Sequence, residues 1–227
     1  MFSPKTLDFL SMNVFMNSRE WYAEHKPEFK EFVMQPLIET VQALTPTIEK
    51  IDPMIVTEPK VDKTISRIYR DMRRAHGAFY RDYMWISFKR DRKAFSDYPE
   101  FFFVLSPRGF CYGCGQYDAS SETTDCMRRM VLDDHPLFKK AEKAYRAQNV
   151  FVLDGHMYKR SRYPDEPERK RIWLDRRTVT VLHDSRDFDR LFSDTLPQEM
   201  AAAFAQISPV YRFLAAAEQT ARNNMIP

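Results

Sequence analysis

The chain has 227 residues, 44% hydrophobic and 14% aromatic, with 35 Lys and Arg against 32 Asp and Glu for a formal net charge of +3. A chain of this length and apolar content buries a sizeable core without staples, which excludes intrinsic disorder, and three cysteines, an odd number, argue against a disulfide framework. The small net charge does not mark a nucleic-acid protein. No apolar run approaches bilayer length, and residues 1–10 lack the basic start and apolar stretch of a signal peptide; the expected address is the cytoplasm, with no membrane partner.

Ser3-Pro4 signals a helix start, a hydroxyl cap followed by proline at the first helical position. Leu7, Leu10 and Val14 supply its apolar stripe. A second start follows, with Asn17 as cap, Glu20 three residues on as in a capping box, and Met16 placed to staple onto Trp21. Helix is then expected toward Ile51. Phe29, Phe32, Val33, Leu37, Val41 and Leu44 keep helical spacing, and Pro27 and Pro36 predict kinks or abutting helices. Residues 52–61 are proline-studded and read as extended or loop.

Four arginines then fall in eight positions, R-I-Y-R-D-M-R-R from Arg67 to Arg74. Ile65, Ile68, Tyr69 and Met72 recur at i, i+3, i+4 and i+7, which predicts an amphipathic helix capped near Asp62. A strand would instead put Arg67, Tyr69, Asp71 and Arg73 on one face. Strand character dominates the middle of the chain: Tyr83–Lys89 is aromatic and β-branched, and residues 101–117 read as a hairpin turning at Pro107–Gly109. Asp118–Leu132 and His135–Gln148 read as helices, Val150–His156 as a short strand and turn, and Thr178–His183 as another strand. Thr195 with Gln198 opens a last helical segment that Pro209 is expected to split. Helices first, strands in the middle and helices last imply a single α+β domain over residues 1–227, an antiparallel sheet with helices from both termini packed on it.

Cys111-Tyr-Gly-Cys114 has the spacing of a zinc knuckle or a thiol-exchange pair, with Cys126 and His135 as further donors. It lies in an expected strand, whereas redox pairs sit at helix N-termini, so the reading is two small residues in a strand and no metal. The five histidines are scattered, and five glycines leave no material for a phosphate loop or dinucleotide fingerprint; no cofactor is expected. Arginine remains. From Lys60 to Lys93 there are eleven Lys or Arg against four Asp, and from Tyr158 to Arg177 eight against four acids. Guanidinium stays charged at any working pH and matches phosphate or carboxylate with paired donors. Each arginine must face water, pair with an acid such as Asp71 or Asp82, or hold an anion.

Along most of its length the chain resembles the bacterial family of conserved hypothetical proteins known as domain of unknown function 2461. F-S-P-K-T-L-D-F-L opens the likeness. N-S-R-E-W-Y-A-E-H-K is similar to the family's N-x-R-E-W-F-x-x-x-K, Pro36 falls in register, and R-I-Y-R-D-M-R resembles R-I-Y-R-D-x-R-F. The hairpin ending G-C-G-Q-Y resembles the family's glycine-rich hairpin, and Lys159-Arg160 stands where relatives carry a basic pair. After the arginines the chain departs: R-A-H-G-A-F-Y-R-D-Y replaces F-S-K-D-K-x-P-Y-K, with Tyr80-Arg81 standing for Y-K. The resemblance implies an α+β fold and names no reaction.

The resulting expectation is a cleft that receives a small anionic ligand. Arg67, Arg70, Arg73 and Arg81 would supply charge, Tyr69 a hydroxyl or a stacking face, and Asp71 would orient an arginine or, as the lesser alternative, act as a base. Trp21 and Lys26 would close the cleft, and Lys159 and Arg160 would approach from the C-terminal half. Two other readings stand beside it. One is a single-strand nucleic-acid binder stacking bases on Tyr80, Tyr83, Trp85 and Phe88; the other is a structural or partner-binding protein whose arginines are locked in internal salt bridges.

Overall fold

In the computed structural model the described residues are 1–71, 73 and 77–225. Met72, Arg74 and His76, which the sequence reading placed on the expected helix or counted among the histidines, lie outside them. The chain adopts the expected α+β class, with a five-stranded antiparallel sheet.

Helix α1 (Pro4–Met16) starts where serine and proline signal it, and Ser3 N donates to Thr6 Oγ1 at 3.1 Å. It stops at Asn17, whose φ of 44° is left-handed, a conformation asparagine tolerates better than most residues. Because Asn17 ends α1, the cap of α2 (Arg19–Glu24) is Ser18 instead, whose Oγ accepts from Trp21 N at 3.1 Å. The short α3 (Lys26–Glu28) follows, then a π-helical stretch (Phe29–Met34) and α4 (Gln35–Ile51). Pro27 and Pro36 thus fall in the first turns of abutting helices, one of the two arrangements expected at them, with the π-helical stretch between. Pro36 has no N–H for the carbonyl four residues earlier, and that carbonyl, Phe32 O, accepts from Thr6 Oγ1 at 2.6 Å.

The sheet contains β1 (Met84–Phe88), β2 (Glu100–Ser106), β3 (Gly109–Gln116), β4 (Val152–Asp154) and β5 (Val179–Ser185), in the order β1-β2-β3-β5-β4. β4 and β5 pair antiparallel with Leu153 opposite Val181. The β2–β3 turn falls where Pro107–Gly109 predicted it. Between and after the strands lie α5 (Ser121–Leu132), α6 (Pro136–Arg146), α7 (Glu168–Leu174), α8 (Phe188–Leu191) and α9 (Leu196–Met225). The sequence reading did not anticipate α7 or α8.

Two compact units emerge. The first comprises residues 1–88, 102–112 and 184–202. Its core holds Leu10, Val33, Leu37, Val41, Leu44 and Ile48 from the N-terminal helices with Met84, Ile86 and Phe88 of β1, and Phe2 stacks on Phe103 of β2 with centroids 5.5 Å apart. The second comprises residues 89–101, 113–183 and 203–227. There Phe204 and Tyr211 of α9 lie on Phe101, each with centroids 5.0 Å away, and Phe138 meets Trp173 and Phe213. Helix α9 runs unbroken through Pro209, against expectation. Ile207, Val210, Phe213, Leu214 and Ala217 around it are almost fully buried, and that packing outweighs the ~3 kcal/mol that proline costs in a helix interior.

Candidate functional site

The segment around the arginines is not a helix over its described residues. Ile65 bridges antiparallel to Ile86 and Tyr69 to Tyr80. Arg70 N donates to Phe79 O at 2.9 Å, and Arg81 N to Ile68 O at 2.8 Å. The chain is an extended ribbon laid along β1. Ile65 and Ile68 are buried while Arg67, Tyr69, Arg70 and Asp71 are exposed. The helical spacing of the apolar residues was real, but two β-branched isoleucines beside an unpaired strand edge take the extended pairing, which satisfies backbone groups and core at once.

Each described arginine of the ribbon has a distinct partner. Arg67 donates Nε to Asp62 Oδ2 at 2.8 Å, and Arg73 is bidentate to Asp71 at 3.0 and 2.8 Å. Both pairs are open to solvent, and each carboxylate raises the basicity of its arginine. The carboxylate that Arg73 meets is that of Asp71, two residues before it. Arg70 and Arg81 differ. Arg70 Nε donates to Tyr80 O at 2.7 Å, and Arg81 Nη1 donates to Arg67 O at 2.9 Å with its guanidinium 4.9 Å from the Trp85 ring centroid. These two cross-strand bonds end on neutral carbonyls, and among the described residues no carboxylate pairs with either cation. Arg19, at the start of α2, lies 5.0 Å over the Phe79 ring. Asp82 is taken by Arg108.

Behind the ribbon three tyrosines meet. Tyr22 of α2 packs on Tyr69 and Tyr80 with centroids 5.5 and 5.2 Å away, and Tyr69 and Tyr80 are 5.3 Å apart. Tyr22 and Tyr80 are buried; Tyr69 is 46% exposed. Burial, then the neighbouring tyrosines, push the Tyr22 hydroxyl well above its ordinary range, and burial does the same more mildly for Tyr80. These phenols stay protonated and can donate. Asn17 fixes the return strand, its Nδ2 donating to Gly77 O at 2.9 Å and its Oδ1 accepting from Phe79 N at 2.7 Å. Trp21 is half-buried, stacked on His25 at 4.1 Å and tilted against Phe9. Lys26 is exposed at the start of α3.

Tyr22 and Arg19 escaped the sequence reading and Asn17 was read there only as a helix cap, although all three lie in the N-S-R-E-W-Y run that carried the resemblance. Lys159 and Arg160 belong to the second unit, exposed in the loop between β4 and α7. Of the four aromatics proposed to stack bases, Tyr80 and Phe88 are core residues without a free face, and Tyr83 stacks on Trp85.

The CxxC pair sits in β3, where an odd spacing sends side chains to opposite faces. Cys111 is half-buried, its thiol pushed up to about 11 by burial and by Asp184; Cys114 is fully buried, and burial holds its thiol well above the ordinary range. Among the described residues no group of three or more His, Cys, Asp or Glu is placed to hold a metal ion. Nor is any of their helices long and apolar enough to cross a membrane.

The chain was compared with known families and with curated proteins. The model of one family, described as a conserved hypothetical protein (DUF2461), matches residues 5–213. No curated protein matches the chain.

Proposed function

From the premise that the chain belongs to the conserved hypothetical family DUF2461, we propose that this protein binds a small phosphate- or carboxylate-bearing ligand at the ribbon of residues 67–81, as a cytoplasmic protein. The observation that carries the reading is the state of Arg70 and Arg81, whose guanidiniums rest on backbone carbonyls and not on carboxylates. A carbonyl orients a guanidinium without cancelling its charge, so attraction for an anion persists. Tyr69, 46% exposed, stands next to Arg70 in sequence on the same ribbon. Arg67 and Arg73, already neutralised by Asp62 and Asp71, frame the site. Trp21 and Lys26 belong to its helical border.

A second reading has its own support. Arg70 and Arg81 each reach across the ribbon, so they serve equally as staples that hold two extended segments together. Arg70→Gln separates the two, since glutamine keeps a donor and loses the charge. At low ionic strength the anion reading expects inorganic phosphate to bind about tenfold more weakly to R70Q, the loss of one charge-assisted bond, with little change in melting temperature. A fall in melting temperature with phosphate affinity unchanged establishes the staple and removes the site.

A further inference from the structure

A second anion site, centred on Tyr158 in the other unit, is what we propose beyond that reading; it does not depend on the ribbon. Tyr158 lies in the loop between β4 and α7, and that loop is held firmly. Tyr158 N donates to Asp175 O at 2.9 Å, Arg177 N to His156 O at 2.7 Å, and Met157 bridges to Arg176. Arg162 N donates to Asp175 Oδ1 at 2.9 Å. Three guanidiniums close on the Tyr158 ring: Arg162 at 3.8 Å from the centroid, Arg177 at 4.8 Å and Arg128 at 5.3 Å.

The three cations are not equivalent. Arg128 is nearly buried. Its Nε donates to Leu174 O at 3.2 Å and its Nη2 to Tyr158 Oη at 3.0 Å and Arg176 O at 3.1 Å. Among the described residues the carboxylate it pairs with is Asp125, at 3.3 Å, whose side chain is 66% exposed. Arg162 and Arg177 are exposed, and among the described residues neither is paired with a carboxylate. Buried Asp175 accepts from the Arg162 backbone N–H. Lys159 and Arg160 adjoin in sequence. A ring face attracts each cation weakly, whereas three like charges around one ring repel one another. A doubly charged oxyanion relieves that repulsion and accepts paired donors from Arg162 and Arg177.

The ligand class is a small molecule bearing a phosphate group. The ring that a nucleobase would stack on is already covered by guanidinium, so the platform a single strand needs is missing. The donors also gather around one point; they do not track a backbone.

The test is phosphate titration by calorimetry at low ionic strength, on the intact chain, the double variant R162Q/R177Q and R70Q. The proposal expects saturable binding at a site that R70Q keeps and that the double variant, whose far-UV circular dichroism stays native, weakens about tenfold or more; a separate site weakened in R70Q is the ribbon's own. R162K/R177K, which keeps charge and loses the planar fork, should fall between. If the double variant does not fold, the single variants R162Q and R177Q take its place, and each must weaken binding. Equal binding by intact chain and arginine variants overturns the proposal, as does the absence of saturable binding. Loss in R70Q alone overturns it while leaving the ribbon reading in place; loss in the double variant alone supports it and counts against the ribbon.

Discussion

Arg67 and Arg70 are three residues apart and bond differently, one to a carboxylate and the other to a peptide oxygen. Sequence shows that both are cationic; it does not show which has an acid within reach, because Asp62 meets Arg67 through a left-handed turn at φ 65° that no local pattern announces. The cysteines were more legible. An odd spacing in a strand already sets the sulfurs apart, and burial then suppresses their ionisation. Iodoacetamide at pH 8 should label the folded protein far more slowly than the urea-unfolded chain, with the Cys111 rate climbing as pH approaches 11. Rapid labelling of either β3 thiol at pH 8 would restore the redox reading.

Among the elements, strong local signals survived and weak ones yielded to packing. The serine-proline start, the aromatic strands and the Pro107–Gly109 turn stand where they were expected. The ribbon was misread because Ile65, Ile68 and Tyr69 keep helical spacing, and pairing with Ile86 and Tyr80 overrides it. The π-helical stretch has a sequence trace in retrospect. Buried Phe29, Val33, Leu37 and Val41 recur every four residues, a spacing that drifts off one face at 3.6 per turn unless a wider turn restores it. Much of the candidate site stayed hidden because it depends on contacts such as those of Asn17 with Gly77 and Phe79. At Gly155, φ is +121° and an added Cβ would lie 2.0 Å from Thr178 O. Gly155→Ala should therefore lower stability by more than about 1 kcal/mol in urea titration; an unchanged midpoint would mean the β4 turn relaxes freely.

On the scale of the whole molecule, acid should unfold this protein before base does. Thr195 and Arg190 hold Glu199 below its ordinary 4.5, the N-terminal ammonium and Gln35 do so for Glu39, and Lys170, then Arg169, hold Asp134 below 3.8. A carboxyl whose folded value is depressed contributes stability that is fully present above its unfolded value and is lost as pH falls through the folded one. The urea midpoint should hold near neutrality and fall from about pH 4.5 downward. Asp134→Asn, which suits the left-handed φ of 48° at that position, should flatten part of that slope; an identical slope in the variant assigns the acid limb elsewhere. The Asn17 clamp bears on how the first unit assembles. Its two bonds join residues about sixty positions apart in sequence, a large loop to close for a single amide. This clamp on the return strand can close only once α1 has formed and stopped at the right residue, so it belongs to long-range closure and not to local winding.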